Sequence, residues 1–166
     1  ANQAWKYNEA IKRILNLEKI TKLYWVEEPI IASSSVNKWK SLRKNISTNI
    51  AAGENHYGSA DVKKYIKNKC FDFYQPDITK YGGISSFIEI YKDCKKDIKF
   101  LTPHYLGSGL GLFASANLIS GISNIPMEFD ITENEIRDEI FKKNLKIHQG
   151  KLILNKKPGI GINLNF

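Results

Sequence analysis

Residues 24–30 read YWVEEPI, and this short stretch decides the fold. An apolar run suited to a buried strand is followed directly by two carboxylates, Glu27 and Glu28. Pro29 comes next and lacks the backbone N–H that a central strand needs, so the strand is expected to end there. Paired negative charge at the carboxyl end of a strand raises the question of whether the arrangement recurs along the chain.

Helical and strand patterns alternate on both sides of this stretch. Apolar residues recur at helical spacing over 6–20, about 35–44, a segment capped by Ser59, 82–96 and 107–120. Short apolar runs, which predict strands, lie between them at 23–26, 46–52, 71–75, 98–101 and 125–129. Strands that are apolar on both sides suit a parallel sheet covered by helices or closed into a barrel. The sequence therefore predicts an α/β fold.

The composition is that of one ordinary globular domain, with 166 residues, 42% apolar and 25% charged. No apolar run approaches the roughly 18–20 residues of a membrane helix, and the N-terminus lacks a signal-peptide pattern. We therefore expect a cytoplasmic protein without a membrane partner. The net charge of +8 comes from lysines spread over most predicted helices, which indicates a solvated surface and no nucleic-acid partner. Cys70 and Cys94 lack CxxC spacing and are expected to be buried and reduced.

The alternation of helix and strand stops near residue 131. A charged helix, ENEIRDEIFKKN, is followed there by an extended tail with a Gly-rich turn. We therefore divide the chain into a partial barrel domain, residues 1–130, which carries the site, and a C-terminal helix and tail, residues 131–166.

Five side chains follow successive predicted strands at the point where each strand ends. They are Glu27, Glu54, Asp77, His104 and Glu128, separated by 27, 23, 27 and 24 residues. Each separation corresponds to one strand and one helix, and the carboxyl ends of parallel strands form the active-site end of a barrel. Any one of these residues alone would suit a helix cap or a surface position. Five in phase with the repeat predict a common site.

Four carboxylates around one imidazole repel each other unless a cation or hydrogen bonds offset their charge. Oxygen ligands without Cys or a close pair of His indicate a hard cation such as Mg²⁺. Asp77 and His104 follow adjacent predicted strands, and a carboxylate beside an imidazole orients the ring and raises its basicity. The sequence therefore predicts an Asp–His acid/base pair beside a metal.

Several short motifs accompany these residues: ANQAW (1–5), WVEEP (25–29), AGEN (52–55), PDITKYGG (76–83), TPH (102–104), PMEF (126–129) and PGIGIN (158–163). Together they resemble the C-terminal barrel region of the mandelate racemase and acid-sugar dehydratase group of the enolase superfamily. The resemblance runs from the first residue to the last. It implies the C-terminal part of a (β/α)7β TIM-type barrel, strands 4 to 8, with a tail that returns to an N-terminal capping domain.

The resemblance also implies a role for each of the five residues at the strand ends. Glu27 and Glu54 would be Mg²⁺ ligands, and Asp77 with His104 would form the general acid/base dyad. Glu128 would hydrogen-bond the oxyanion that develops on the substrate carboxylate.

The resemblance places the family's first metal ligand, an Asp, one residue before Ala1. The family's earlier barrel strands and its capping domain also lie outside this sequence. The strands present cannot close an eight-stranded barrel, and an open sheet would expose an apolar edge. We therefore expect the remaining N-terminal part of the same protein to be a partner of this chain. A homo-oligomer is a separate expectation.

The chemistry implied by the resemblance is removal of the proton next to a substrate carboxylate, with Mg²⁺ stabilising an enediolate. We expect a small carboxylate substrate and dehydration of a sugar acid, an aldonate or aldarate, to a 2-keto-3-deoxy acid, because AGEN and TPH are most similar to the sugar-acid members. A racemase or epimerase of a 2-hydroxy acid would use the same intermediate and stays open. A non-catalytic binding protein is the remaining alternative.

Four polar side chains near these motifs are candidate substrate contacts: Asn2, Asn55, His56 and Lys80. Each also has an ordinary explanation, since the two asparagines suit a turn or cap, His56 a loop surface and Lys80 an ion pair. Glu28 follows the expected metal ligand along the strand and should point away from the site. There it would support the site by pairing with a neighbouring cation.

Overall fold

A computed structural model describes residues 1–95, 100–122, 126–144 and 146–162. The helices are α1 (Tyr7–Glu18), α2 (Val36–Asn45), α3 (Ser59–Lys67), α4 (Gly83–Cys94), α5 (Gly109–Ser120) and α6 (Glu135–Asn144). The strands are β1 (Trp25–Glu27), β2 (Asn49–Ala52), β3 (Phe73–Tyr74), β4 (Phe100–Leu101), β5 (Lys146–His148) and β6 (Lys151–Ile153). The predicted alternation of helix and strand is confirmed from α1 to α5.

The first four strands form one parallel sheet in the order β1-β2-β3-β4. Each strand pairs with the next one along the chain, and a helix connects each pair. Consecutive parallel strands joined by helices are the repeating unit of a (β/α) barrel. The fold is therefore that of a partial TIM-type barrel, as the sequence predicts.

The two faces of this sheet carry different side chains. Val26, Ile50 and Leu101 face the helices, where they join the main hydrophobic core. The opposite face carries a row of aromatic rings, with Trp25 to Phe73 centroids 4.9 Å apart and Phe73 to Phe100 centroids 4.7 Å apart. Because side chains alternate along a strand, β1 presents both Trp25 and its last residue on this second face.

Three details differ from the sequence predictions or fall outside the described chain. Residues 126–129, the described part of the fifth predicted strand, are not in a ladder, and Pro126 has no N–H to donate to one. Ser59 does not cap α3, because Gly58, at a φ of +78°, holds the cap position and the helix begins at Ser59. Cys70 is buried and unpaired as expected, whereas the side chain of Cys94 lies outside the described part.

The residues after 130 pack directly on α5. A Cβ on Gly109 of α5 would lie 2.7 Å from the Cβ of Ile140 in α6, so the two helices touch backbone to side chain. A second hydrophobic cluster around Leu112 and Phe113 is covered by side chains from the hairpin β5–β6 and the tail, including Leu152. The division at residue 130 remains a prediction. In the four described ranges, no helix is long and apolar enough to cross a bilayer.

Trp39 is the largest fully buried side chain of the core, with 0% exposure and an edge-on contact to Phe71 at 5.0 Å. Trp39→Ala in the full-length protein should lower the free energy of unfolding by about 3–5 kcal/mol, because it leaves a cavity. Lys40→Ala, the next residue on α2 and exposed, is the control and should change it by less than about 0.5 kcal/mol. Equal urea midpoints for the two variants would contradict this packing.

Candidate active site

Gly53 brings the residue after it close over the neighbouring strand. Its φ is +145°, and a Cβ at this position would lie 2.8 Å from the ring of Tyr74 and 3.0 Å from the backbone carbon of Gln75. Only glycine fits such a close approach in this conformation. The chain therefore turns in towards β3 immediately after β2, and this turn carries Glu54 into the predicted cluster.

His104 lies between two carboxylates that follow neighbouring strands. Its Nε2 is 2.5 Å from Oε2 of Glu54, and its Nδ1 is 3.1 Å from Oδ2 of Asp77. The other oxygen of Asp77 accepts hydrogen bonds from the backbone N and the hydroxyl of Thr79, at 2.8 and 2.6 Å. The ring and both carboxylates are thus fixed in position, and three of the five predicted residues meet.

Lys80 adds a second positive group to this cluster. Its Nζ is 3.8 Å from Oε2 of Glu54 and 3.8 Å from Oδ2 of Asp77, and about a third of its side chain is exposed. The structure therefore places Lys80 beside the dyad as an ion-pair partner of two carboxylates, at the edge open to solvent. Direct contact of Lys80 with a substrate remains a prediction.

The hydrogen bonds of His104 control the charges of this cluster. Burial alone lowers the pKa of His104, but the hydrogen bonds to Asp77 and Glu54 outweigh it and raise the pKa to about 10. Burial raises the pKa of Asp77, yet the hydrogen bonds from His104 and Thr79 bring it down to about 2. The hydrogen bond from His104 also lowers the pKa of Glu54. At neutral pH the cluster is a carboxylate, an imidazolium and a second carboxylate.

Glu27 ends β1 on the same face of the sheet as the aromatic row. One of its carboxylate oxygens, Oε2, accepts a hydrogen bond of 2.8 Å from Nε2 of Gln75, which follows β3. Gln75 is 2% exposed, and its Oε1 has no hydrogen-bond partner among the described residues. Glu27 is therefore held over the end of the sheet, pointing to the side where the other predicted site residues lie.

Glu28 does not point away to a cation, as the sequence analysis expected. Its φ of +37° breaks the alternation of the strand, and its side chain is 1% exposed. Its Oε2 accepts a hydrogen bond of 2.7 Å from Nδ2 of Asn55, and the same nitrogen donates to Oε1 of Glu54 at 2.8 Å. Burial, and then the charge of Glu54, raise the pKa of Glu28. Glu28 is thus linked to Glu54 through the side-chain amide of Asn55.

Glu128 joins the cluster although its segment is not a strand. Its Oε2 accepts a hydrogen bond of 3.1 Å from the backbone N of Tyr105, the residue after His104. Burial raises the pKa of Glu128, and the positive charge of His104 acts in the opposite direction. A carboxyl with a raised pKa near an imidazole can donate a proton or a hydrogen bond, which suits the predicted contact with an oxyanion.

Two predicted substrate contacts are not brought into this cluster. His56 is 2% exposed, its Nε2 lies 3.1 Å from the carbonyl oxygen of Ala32, and its ring packs on Tyr65 with centroids 4.5 Å apart. His56 therefore lies away from solvent, covered by the aromatic ring of Tyr65. Asn2 is exposed, at a φ of +47°, in the turn beside the end of β1.

The carboxylates of the cluster meet only some of the needs of Mg²⁺. Glu27 and Glu54 present carboxylate oxygens at the ends of adjacent parallel strands, and hard oxygen ligands suit this ion. Oε2 of Glu27 accepts a hydrogen bond from Gln75, and Oε2 of Glu54 is paired with His104, with the amine of Lys80 3.8 Å away. Among the described residues, no group of three His, Cys, Asp or Glu could hold a metal. The residues present fit part of a magnesium site.

The sequence did not predict the hydrogen bonds that Gln75 donates to Glu27 and Asn55 donates to Glu28 and Glu54. Both donors are uncharged amides, which carry no signal in a search for titratable groups at strand ends. Gln75 lies two residues before Asp77, and Asn55 directly follows Glu54. Side chains two residues apart on a strand share a face, so the spacing of Gln75 from Phe73 of β3 could have placed Gln75 on the side of the sheet where Glu27 lies.

The parallel sheet and the charged cluster at its carboxyl end are the features of a partial TIM-type barrel, in which active sites lie at the carboxyl ends of the strands. The chain belongs to the enolase C-terminal domain-like family, which it matches over residues 1–166.

Named relatives give this assignment more detail. The chain is 27% identical over 164 residues to an arabinonate dehydratase of Saccharolobus solfataricus, covering 99% of this chain and 43% of that protein. It is 28% identical to an L-talarate/galactarate dehydratase of Salmonella typhimurium, covering 99% and 39%. The crystal structure of the 3,6-anhydro-D-galactonate cycloisomerase from Zobellia galactanivorans superposes with a TM-score of 0.89 at 31% identity, covering 99% and 46%. The chain thus spans less than half the length of these relatives.

Gly53→Ala should move Glu54, because the new Cβ would overlap the ring of Tyr74. We expect a loss of about 1–3 kcal/mol in the free energy of unfolding from the strained φ and the overlap, measured by urea denaturation of the full-length protein. Gly58→Ala is the matched control, since Gly58 also has a positive φ of +78° but a methyl group there would meet no atom within 4 Å. A Gly53→Ala variant no less stable than Gly58→Ala would contradict the close approach.

Asp77→Asn should lower the pKa of His104 from about 10 towards its ordinary 6.5, because the carboxylate that holds Nδ1–H is gone. Nuclear magnetic resonance of ring-labelled histidine in the metal-free full-length protein would measure this. Because the pKa of His104 is raised in the folded state, its protonation stabilises the fold. This stabilisation is fully present below about pH 6.5 and is lost as the pH rises towards 10. Stability of the parent protein should therefore fall over that range, and less so for Asp77→Asn. Identical titrations of His104 in both proteins would refute the coupling.

Proposed function

We propose that the complete protein is a Mg²⁺-dependent hydro-lyase that removes water from a sugar acid, an aldonate or aldarate, to give a 2-keto-3-deoxy acid. The observation that carries the proposal is the position of His104, held at both ring nitrogens by the carboxylates of Glu54 and Asp77. Such a ring is oriented for proton transfer at Nε2. The dehydratase names of two relatives, each about 27–28% identical, support the same class of reaction.

The chain's own residues would divide the work as follows. Asp77 holds Nδ1–H, which fixes the tautomer and directs Nε2 towards the centre of the cluster. Nε2 now faces Glu54, so the ring becomes free to exchange a proton with a substrate only when Glu54 binds another positive partner. We propose that Glu27 and Glu54 hold Mg²⁺, which when bound would stabilise negative charge on the substrate carboxylate. Glu128 would donate a hydrogen bond to that carboxylate.

Dehydration and racemisation begin with the same step, removal of the proton next to the carboxylate. They diverge in the fate of the intermediate, which either loses its neighbouring hydroxyl or takes the proton back on the opposite face. We favour dehydration because two named relatives are dehydratases. Isomerisation is the second candidate, because one solved relative is a cycloisomerase. Analysis of products from a library of acid sugars separates a 2-keto acid from an epimer.

His104→Asn in the full-length protein should slow exchange of the substrate's α-proton with solvent by about 10²- to 10⁴-fold, the usual contribution of a general base. The measurement is deuterium incorporation into substrate or product, followed by mass spectrometry. Asn keeps a polar side chain of similar size but cannot take up a proton.

His148→Asn is the matched control, because His148 is exposed on β5, which belongs to the separate two-stranded sheet. It should exchange at the parent rate. Parent-level exchange in His104→Asn would rule out the dyad. Absence of any exchange or turnover in the parent protein with every acid sugar would favour a non-catalytic binding protein.

A further inference from the structure

We propose that Asn55 is a positioning residue for Glu54 and that Glu28 holds Asn55 in place through a hydrogen bond. The buried Glu28 would then act by accepting this hydrogen bond and not through its negative charge. The inference rests on the proposed function, since it concerns how a metal-binding carboxylate is oriented. Its distinctive feature is one amide nitrogen shared by two carboxylates of neighbouring strands.

The geometry gives each hydrogen of this amide one acceptor. Nδ2 of Asn55 carries two hydrogens, and two carboxylate oxygens lie at hydrogen-bond distance from it, 2.7 Å for Glu28 and 2.8 Å for Glu54. The bond to Glu54 is made to Oε1, whereas His104 and Lys80 are on Oε2. One oxygen of Glu54 is therefore anchored, and the other faces the groups that would exchange with a cation.

The position of Glu28 is energetically unfavourable in both its burial and its backbone conformation. It is 1% exposed, its Oε1 has no hydrogen-bond partner among the described residues, and its φ of +37° is unfavourable for a side chain other than glycine. Its backbone is fixed on both sides, since its N donates to the carbonyl of Ala51 at 3.0 Å and its carbonyl accepts from the N of Gln3 at 2.6 Å. The unusual backbone thus turns the carboxylate towards Asn55.

Two explanations of Glu28 make different predictions. If its charge matters, the acid adds negative potential beside the site, and any neutral replacement should weaken cation binding equally. If its hydrogen bond matters, a neutral acceptor of the same shape should hold Asn55 almost as well as the acid does. The low exposure and the short contact to one amide favour the hydrogen bond, because within the described ranges no basic side chain lies at hydrogen-bond distance from the Glu28 carboxylate.

The test measures the affinity of the substrate-free, full-length protein for Mn²⁺, by electron paramagnetic resonance of the free ion. Asn55→Ala and Glu28→Ala should each weaken binding by about 10- to 100-fold, the usual effect of removing a group that orients a metal ligand. Glu28→Gln keeps an acceptor oxygen for Asn55 and should lose less than about tenfold. Asn68→Ala is the matched control, since its amide donates to the Lys64 carbonyl near the end of α3, and it should bind as the parent does.

The outcomes separate this inference from the proposed function. Equal losses in Glu28→Gln and Glu28→Ala would overturn the hydrogen-bond role in favour of charge, and parent-like affinity in Asn55→Ala would overturn the positioning role. If Asn55→Ala fails to fold, the two Glu28 variants still decide the question. The proposed function fails separately, if His104→Asn keeps its exchange.

Discussion

The ion-paired cluster of Glu54, His104 and Asp77 depends on the shared register of three parallel strands. The last residues of β2, β3 and β4 are aligned with one another, and each of the three side chains follows its strand by two or three residues. Because side chains alternate between the faces of a sheet, a slip of one residue in any strand would turn its contribution away. The core packing of the helices against the outer face fixes this register, and so it also fixes the site.

Burial of several carboxylates at one end of a sheet creates a demand for positive charge, which two basic side chains meet. The imidazolium of His104 bonds two of the carboxylates, and the partly exposed amine of Lys80 lies 3.8 Å from the same two. Neither cation belongs to the hydrophobic clusters of the core. Under the proposed function, a cation held by Glu54 would take the place of this pairing and leave Nε2 free for proton transfer.

Neutral amides fix the carboxylates that this exchange would involve. Gln75 holds Glu27, and Asn55 joins Glu54 to Glu28, so that each acid keeps one oriented oxygen. Amides suit this task because they donate without adding charge, and so they leave the electrostatic balance of the cluster unchanged.

The sequence by itself determined the α/β class, the succession of helices and strands up to α5, and which residues stand at the strand ends, because these follow from local periodicity. It also carried the motifs of the enolase superfamily. It did not determine that Glu28 turns inward, that His56 is covered by Tyr65, or that residues 126–129 stay out of a ladder. Those outcomes depend on a positive φ, on packing between distant segments and on which neighbours a strand finds. Only the tertiary structure decides such long-range contacts, since no local pattern encodes them.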